Sequence, residues 1–282
     1  MSHTVFAHLT GRALVAVRGE GWRGFLDNLL SNDVQSMAAG ESRAALLLTP
    51  QGKLLFDLFV IAPTAHEPDI ALLDVQAAQR EALIQRLKLY RLRAKVEVGP
   101  VDGAVWAAWG QDPGEGWAPD PRLAALGWRG YGREAPRDAG EEAYDAHRLA
   151  LGVPDAAQDC QPDQTFPLEA DFDLLNAIDF KKGCFVGQET TSRMKRRSAV
   201  KTRIAPIVFD GPPPAPGTPV DTEAGLRAGE VLSGRQGRAL ALLRLDRAVC
   251  GPLRCQDRPV RLDIPAWWPE GALPSAAQTA SD

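Results

Sequence analysis

The feature that most constrains the fold of this chain is a change of pattern at residue 202. Beyond it, short β-prone stretches are separated by glycine and proline. The segment DGPPP, residues 210–214, cannot continue a central strand, because proline lacks the N–H group that a β-ladder requires. Short strands with turns between them predict a small β-barrel or sandwich. The end of the chain, residues 269–282, is rich in Ala, Ser and Pro and is expected to fray.

Before residue 202, predicted strands alternate with amphipathic helices. Apolar residues recur at helical spacing over residues 22–33 and again over residues 83–90. Among the β-prone runs around them, two are joined by the turn PQGK, residues 50–53. The order strand, helix, paired strands, strand, helix, strand predicts an α+β layer with helices on one face of an antiparallel or mixed sheet.

Composition and charge argue against several classes of protein. The chain of 282 residues has a net charge of −4, so binding to nucleic acid or to a membrane would need a local basic patch. No apolar run approaches the roughly 20 residues of a membrane helix. The first residues also lack the pattern of a secretory signal. We therefore expect a cytoplasmic protein that has no membrane partner.

Cysteine spacing argues against a structural zinc site. Cys160, Cys184, Cys250 and Cys255 include no C-x-x-C pair, and the four histidines lie far from them in sequence. Scattered thiols in a cytosolic protein are usually reduced and buried. We expect burial for three of the four.

The segment KKGCFVGQE, residues 181–189, is the best candidate for chemistry. Its two glycines allow a tight turn and a close approach of the backbone to a ligand. It follows a predicted strand, residues 174–180, and precedes a helix predicted to begin near Gln188. Beside two lysines and a helix N-terminus, the thiolate form of Cys184 would be favoured. The alternative is a buried cysteine in a tight turn.

Cationic residues dominate the sequence from 181 to 203, where Glu189 is the only acid. They are Lys181, Lys182, Arg193, Lys195, Arg196, Arg197, Lys201 and Arg203. In a chain of negative net charge, this run indicates a candidate anion site. The glutamate tail of a folate or the phosphates of RNA would suit it. The alternative is a solvated helix face.

Two carboxylates have surroundings that suggest ligand binding. Asp57 lies within the apolar run LLFDLFV, so it stands at a sheet edge or points into a cavity, because unpaired burial is costly. Glu169 lies in FPLE. A carboxylate in a pocket can accept hydrogen bonds from the N–H groups of a pterin ring. A structural role is the alternative for each.

The segment KGCFVGQE is similar to the signature K-G-C-[YF]-x-G-Q-E of the YgfZ folate-binding family. Four other stretches match this family in the same order: LDNLLSNDV (26–34), TPQGKLLFD (49–57), LKLYRLRAKVEV (87–98) and HRLALGVP (147–154). The resemblance spans about residues 9–247, and the chain is identified as a member of the family. The signature residues are Lys182, Gly183, Cys184, Phe185, Gly187, Gln188 and Glu189.

That family resembles the T protein of the glycine cleavage system, a tetrahydrofolate-dependent aminomethyltransferase. The resemblance implies three domains arranged as a ring with folate in the central opening. Residues 1–200 would form the folate-binding region, as two α+β subdomains split near 102–140, and residues 201–268 would form a C-terminal β-barrel. It also implies tetrahydrofolate, or a derivative, as ligand.

The resemblance further implies a role in assembling or repairing iron–sulfur clusters, notably four-iron clusters. The partners would be iron–sulfur assembly proteins and client enzymes such as tRNA-modifying radical enzymes. Cys184 matches the family's cysteine and is expected to be the working residue. Glu169 falls where the T protein has a glutamate that contacts the pterin, and Arg203 matches an arginine near the folate.

Asp57 marks a departure from the T protein, which has two adjacent acids where this chain has Phe56 and Asp57. Loss of one carboxylate argues against aminomethyl transfer, because that chemistry relies on a positioned acid. Asp57 is therefore expected to be a folate-binding residue.

Three functions are open at this point. The first is a folate-dependent accessory factor that is not a classical enzyme, in which Cys184 meets a cluster transiently or together with a partner, because one cysteine is too few to hold it. The second is an aminomethyl or methyl transferase. The third is an RNA-binding module using Lys195, Arg196 and Arg197, although direct nucleic-acid binding is not expected.

Overall fold

The computed structural model describes residues 3–64, 69–92, 94–196 and 200–273. Its internal contacts divide the chain into a first unit, Met1–Asp145 with Leu175–Glu189, and a second unit, Ala146–Leu174 with Thr190–Asp282. The domain limits inferred from the sequence, 1–200 and 201–268, remain predictions. Arg197 and most of the predicted frayed tail, residues 274–282, lie outside the described residues.

The first unit contains two sheets and two complete helices among its described residues. Its strands are β1 (Val5–His8), β2 (Arg12–Arg18), β3 (Ser42–Leu48), β4 (Leu54–Ile61), β5 (Ile70–Gln76), β6 (Glu97–Val101), β7 (Val105–Trp109), β8 (Ala118–Pro119) and β9 (Trp128–Tyr131). The helices are α1 (Trp22–Asp27) and α2 (Arg80–Tyr90), and α3 (Glu141–Ala150) begins in this unit. Short 3₁₀ turns occupy Ala77–Gln79 and Ala124–Leu126.

The larger sheet has the order β3-β4-β5-β2-β6 and is antiparallel throughout. Buried side chains of α1 (Trp22, Phe25) and of α2 (Leu83, Leu87) pack in one core with alternate residues of the strands. The predicted α+β layer is therefore confirmed. The smaller sheet has the order β1-β7-β9-β8.

The second unit is built around a closed barrel with the order β10-β13-β12-β11-β14-β15, which confirms the predicted C-terminal β-barrel. Its strands are β10 (Thr202–Val208), β11 (Pro219–Thr222), β12 (Arg227–Arg235), β13 (Arg238–Arg244), β14 (Leu253–Cys255) and β15 (Arg258–Leu262). Its helices are α4 (Ala156–Asp159) and α6 (Leu245–Ala248), whereas α5 (Gln188–Arg196) begins in the first unit. Closure leaves the small barrel without an unpaired edge, and small apolar side chains such as Ala205, Ala239 and Ala241 fill its core.

Two predictions about local structure need correction. The strand predicted over residues 174–180 is wrong, because the chain turns there and Asn176 adopts a left-handed conformation with φ 56°. The first helix ends at Asp27 instead of residue 33, since the polar side chains that follow bond to other parts of the chain. The helix predicted to begin near Gln188 is confirmed.

The described residues contain neither a membrane-spanning helix nor a cluster of metal-binding side chains. No helix there has both the length and the apolarity to cross a membrane. No group of three or more His, Cys, Asp or Glu side chains within the same residues is arranged to hold a metal ion.

Candidate functional site

Lys182 anchors one end of the cysteine segment. Its ammonium group donates to the carbonyl oxygens of Asp27, Leu30 and Asn32 at 2.6, 2.9 and 2.8 Å. It also lies 3.1 Å from Oδ1 of Asp27, and only 3% of the Lys182 side chain is exposed. Burial lowers the pKa of Lys182, although its bond to Asp27 opposes that change. The Asp27 carbonyl ends α1 and the other two lie just beyond it, so Lys182 satisfies backbone acceptors at the end of this helix and in the turn that follows.

Ser31 and Asn32 fix the chain that leads to Lys182. The hydroxyl of Ser31 donates to the carbonyl of Ala177 at 2.6 Å and accepts from the N–H of Leu46 at 2.9 Å. The amide of Asn32 donates to the carbonyls of Ala44 and Asn176, both at 2.7 Å. The segment LSND therefore binds two chain segments that lie far apart in sequence.

Gly187 anchors the other end of the segment. Its φ is 82°, and a Cβ atom added there would lie 2.6 Å from the carbonyl oxygen of Thr49 and 3.0 Å from Cα of Gly52. Glycine is therefore required both by conformation and by the close approach of the PQGK turn. Phe185 is buried, and Val186 packs against the core of the first unit.

Cys184 lies between these two anchors as an exposed, free thiol. A Cβ atom added at the preceding Gly183 would meet nothing within 4 Å, so the chain before the thiol is open. Gln188 supports this loop by donating from its side-chain amide to the carbonyl of Gly183 at 3.1 Å. The alternative of a buried cysteine is wrong for Cys184.

The expectation that the other three cysteines are buried is wrong as well. Cys255 is buried, but Cys160 is partly exposed and Cys250 is exposed. None of these four described cysteines forms a disulfide. The chain thus presents a second exposed thiol, Cys250, whose Sγ donates to the carbonyl of Asp246 at 2.9 Å.

Asp57 belongs to a buried ion network in the first unit. It lies on β4, inside the sheet and not at its edge, and its side chain is 12% exposed. Oδ2 of Asp57 is 3.4 Å from Nη1 of Arg12, while Nε of Arg12 is 2.6 Å from Oδ1 of Asp74. Burial opposes the charge of Arg12, but Asp74 and Asp57 raise its pKa on balance.

The network continues through Arg129, which joins Asp74 at 3.0 Å to Asp120 at 3.1 Å. Arg122 pairs with Asp120 at 2.9 Å. Burial works against ionisation of Asp120, yet the two arginines lower its pKa. Arg12, Arg122 and Arg129 also surround the Phe59 ring at 4.2–5.4 Å from its centroid. Three arginines thus balance three aspartates, and sequence analysis identified only Asp57 among them.

Glu169 lies in a turn of the second unit and is half-buried. Its Oε2 accepts a hydrogen bond from the N–H of Phe166 at 3.0 Å, and its carbonyl accepts from the N–H of Ile204 at 2.7 Å. Among the described residues its Oε1 has no hydrogen-bond donor. The turn is therefore fixed by backbone bonds while one carboxylate oxygen stays open to a ligand.

Arg203 lies next to this turn, so the structure brings two predicted site residues, Glu169 and Arg203, into one region. Its guanidinium donates from Nη1 to the carbonyl of Leu168 at 2.7 Å and to Asp171 and Asp173 at 2.8 and 2.9 Å. Arg203 is 5% exposed. Since its guanidinium is buried against Asp171 and is paired with Asp173, Arg203 does not present a free cation to the tail of a folate.

Asp171 carries the strongest perturbation in this cluster. Burial raises its pKa to about 8, although the charge of Arg203 opposes the rise. Asp171 has φ 60°, a conformation that Asp and Asn tolerate better than most residues. Neither Asp171 nor Asp173 was identified from the sequence, because their partner Arg203 lies about 30 residues further along the chain.

Some members of the predicted basic run are buried or paired with carboxylates. Lys182 and Arg203 are buried and neutralised, and Lys195 pairs with Asp173 at 3.0 Å. Lys181, Arg193, Arg196 and Lys201 are exposed, whereas Arg197 lies outside the described residues. Glu189 is exposed in the first turn of α5.

Comparison with curated proteins identifies close relatives. The chain is 32% identical to the human protein named "Iron-sulfur cluster assembly factor IBA57, mitochondrial" over 301 residues, which cover 93% of this chain and 84% of the human protein. A homologue from Pyricularia oryzae, with the same function in its name, is 30% identical. The aligned region covers 86% of this chain and 72% of the homologue. Residues 201–270 match the family described as "CAF17, C-terminal beta-barrel domain".

A solved structure shows the same fold. The glycine cleavage system aminomethyltransferase T from Bartonella henselae matches with a TM-score of 0.75 at 17% sequence identity. The match covers 95% of this chain and 87% of the aminomethyltransferase. The predicted fold class, an aminomethyltransferase-like α+β fold with a C-terminal β-barrel, is therefore confirmed.

The names of the curated relatives overturn the predicted cytoplasmic location. The relatives from human, mouse and fungi are named as mitochondrial proteins. The prediction rested on composition and on the lack of a secretory pattern, and both are common to soluble proteins of several compartments.

Proposed function

Since the chain belongs to the IBA57 family of iron–sulfur cluster assembly factors, we propose that it is a folate-binding accessory factor in the assembly or repair of such clusters. The observation that carries this proposal is the exposed thiol of Cys184 on a loop anchored at both ends. Within the family we assign the chain to the YgfZ type on its KGCFVGQE segment. Its clients are four-iron enzymes, including those that modify tRNA.

Cys184 contributes one thiolate ligand to a cluster that is the cargo of the reaction. A cluster needs several ligands, and the described residues contain no group of three metal-binding side chains. The remaining ligands therefore come from the assembly partner or from the client enzyme. The two anchors restrict the motion of the loop, so that the thiol is presented to a partner at a low cost in conformational entropy.

The second unit contains the better candidate for holding the pterin ring of tetrahydrofolate. Glu169 fits this role because Oε2 is held by the N–H of Phe166 and Oε1 is an open acceptor. A carboxylate oriented in this way can accept from the N–H donors of a pterin. When bound, tetrahydrofolate supplies a carrier for one-carbon units. Arg203 orients the Glu169 turn through the carbonyl of Leu168 and does not pair with the folate tail.

Aminomethyl transfer is the less favoured function. It would require an acid at Asp57 that is ready to exchange a proton, but Asp57 shares an ion network with Arg12 and Asp74. A carboxylate beside a buried arginine is stabilised in its ionised form and serves better as a hydrogen-bond acceptor. Asp57 is accordingly proposed to bind folate without taking part in transfer.

Calorimetric titration with tetrahydrofolate tests the folate site. Glu169→Ala is expected to weaken binding by about tenfold or more, since a charge-assisted hydrogen bond is lost. Glu169→Gln keeps an acceptor for the N–H of Phe166 and isolates the effect of charge. Cys184→Ala is the matched control and should bind as the wild type does. Unchanged affinity in both Glu169 variants would remove this residue from the site.

A further inference from the structure

The segment LKLYRLRAKVEV, residues 87–98, contains features that the proposed function does not use. Helix α2 turns its buried face, with Leu83 and Leu87, toward the sheet. Two further leucines at its end point away from that core. Leu89 is 69% exposed and Leu92 is 92% exposed. A leucine that is almost fully exposed gains nothing from the fold of the first unit.

A hollow of about 630 Å³ lies beside Leu92, which forms part of its lining. The buried side chain of Val96 and the half-buried Ala94 line it together with Gly19. A Cβ atom at Gly19 would lie 2.5 Å from the carbonyl oxygen of Lys95, so glycine allows the two chain segments to meet here. Gly19, Ala94 and Val96 therefore give the hollow an apolar part where these two chain segments meet.

Cationic side chains dominate the rim of the hollow. Arg18, Arg91 and Lys95 line it, and Glu97 is the only acid among its lining residues. Within the described ranges, none of the three cations makes an ion pair or a side-chain hydrogen bond. In contrast, Arg122 in the same unit is paired with a carboxylate.

We propose that these residues form a docking surface for an acidic segment of a partner protein that inserts an apolar side chain into the hollow. We call it the α2-end surface: Arg18, Leu89, Arg91, Leu92 and Lys95. Unpaired cations steer an acidic partner, and exposed leucines supply the apolar contact that fixes its position. The surface lies wholly within the first unit and shares no residue with the proposed folate site.

Other macromolecules suit this surface less well. RNA is bound through stacking on aromatic side chains, and no aromatic residue lines the hollow. A membrane would need a broad apolar face, but the apolar face of α2 is already buried in the core. The combination of two exposed leucines with three cations matches the apolar centre and polar rim of a protein interface.

Fluorescence anisotropy with a synthetic peptide tests the proposal. The probe is a short labelled peptide of glutamates with two leucines at positions i and i+3, and the control peptide has serine in place of leucine. We expect the leucine peptide to bind the full-length wild-type protein at low salt. Reversing two charges with Arg91→Glu and Lys95→Glu should weaken binding by about tenfold or more, and Leu92→Ser should weaken it by several-fold.

The control variant carries the same change of charge elsewhere. Arg254→Glu with Arg261→Glu alters two exposed arginines of the barrel and should leave peptide affinity unchanged. All substituted residues are exposed, so the variants should fold, which circular dichroism verifies. Any of four results would overturn the proposal: no peptide binding to wild type, equal binding by the Arg91→Glu/Lys95→Glu variant, equal affinity for the serine peptide, or tighter binding of oligouridine or of anionic vesicles.

Discussion

The ammonium nitrogen of Lys182 lies 2.9 Å from the carbonyl oxygen of Leu30, which joins the KGCFVGQE segment to the turn that follows α1. Two further carbonyls, of Asp27 and Asn32, complete the set of acceptors. The lysine of the signature therefore acts as an anchor of the loop. Its charge is used inside the protein and is not offered to an anion.

Replacing Lys182 by methionine should destabilise the protein strongly. The change leaves buried carbonyls and the Asp27 carboxylate without their donor, at a cost of about 2–4 kcal/mol in the free energy of unfolding. Urea denaturation measures this loss. The exposed neighbour Lys181 is the matched control, because Lys181→Met changes the same charge without breaking these bonds. Equal stabilities of the two variants would contradict the anchoring role.

The two glycines of the signature should respond differently to alanine. Gly187→Ala places a methyl group 2.6 Å from the Thr49 carbonyl at a positive φ, so we expect a loss of about 2 kcal/mol or more. Gly183→Ala meets no neighbour and should change stability by about 0.5 kcal/mol at most. Thermal unfolding of both variants distinguishes them. A similar loss in each would show that Gly187 is not a packing requirement.

The stability of the protein should depend on Asp171 over a defined range of pH. Burial raises the pKa of Asp171 from its ordinary value of 3.8 to about 8, so the folded state binds this proton more tightly than the unfolded chain does. The resulting stabilisation is complete below pH 3.8 and is lost as the pH rises to about 8. Asp171→Asn, which keeps a neutral side chain that tolerates positive φ, should therefore gain stability relative to wild type across this range.

Asp246 is a control for that experiment, because its contribution to stability should change with pH in the opposite direction. A hydrogen bond from Arg244 lowers the pKa of Asp246, so its contribution is present at neutral pH and is lost as the pH falls. Denaturant titrations of Asp171→Asn and Asp246→Asn at several pH values compare the two. If the stability difference between Asp171→Asn and wild type does not change from pH 4 to 8, Asp171 is not the titrating group.

The elements with regular patterns were predictable from sequence, and the tertiary role of single polar residues was not. Trp22 and Phe25 recur at helical spacing, and this local pattern predicts the first helix. Glycine and proline separate short β-prone runs after residue 202, and that pattern predicts the barrel. The KGCFVGQE segment was found through its resemblance to a family. Its cysteine could be recognised in this way because the whole motif is continuous in the chain.

Lys182 and Arg203 show where the sequence alone is insufficient. Both belong to a run of cations that suggests an anion site, yet each is buried against acceptors that are distant in sequence. Asp171 is separated from Arg203 by 32 residues, and Leu30 from Lys182 by 152. The same limit explains the wrong strand at 174–180, where hydrogen bonds from Ser31 and Asn32 override local propensity.

The most direct test of the proposed function compares the two exposed thiols, Cys184 and Cys250. Cells that lack the protein are supplied with wild type, Cys184→Ser or Cys250→Ser, and the activity of a four-iron client enzyme is measured at equal protein levels. We predict that Cys184→Ser loses most of the client activity, while Cys250→Ser retains it and both variants unfold like the wild type. Full client activity with Cys184→Ser would contradict the role of this thiol in cluster assembly.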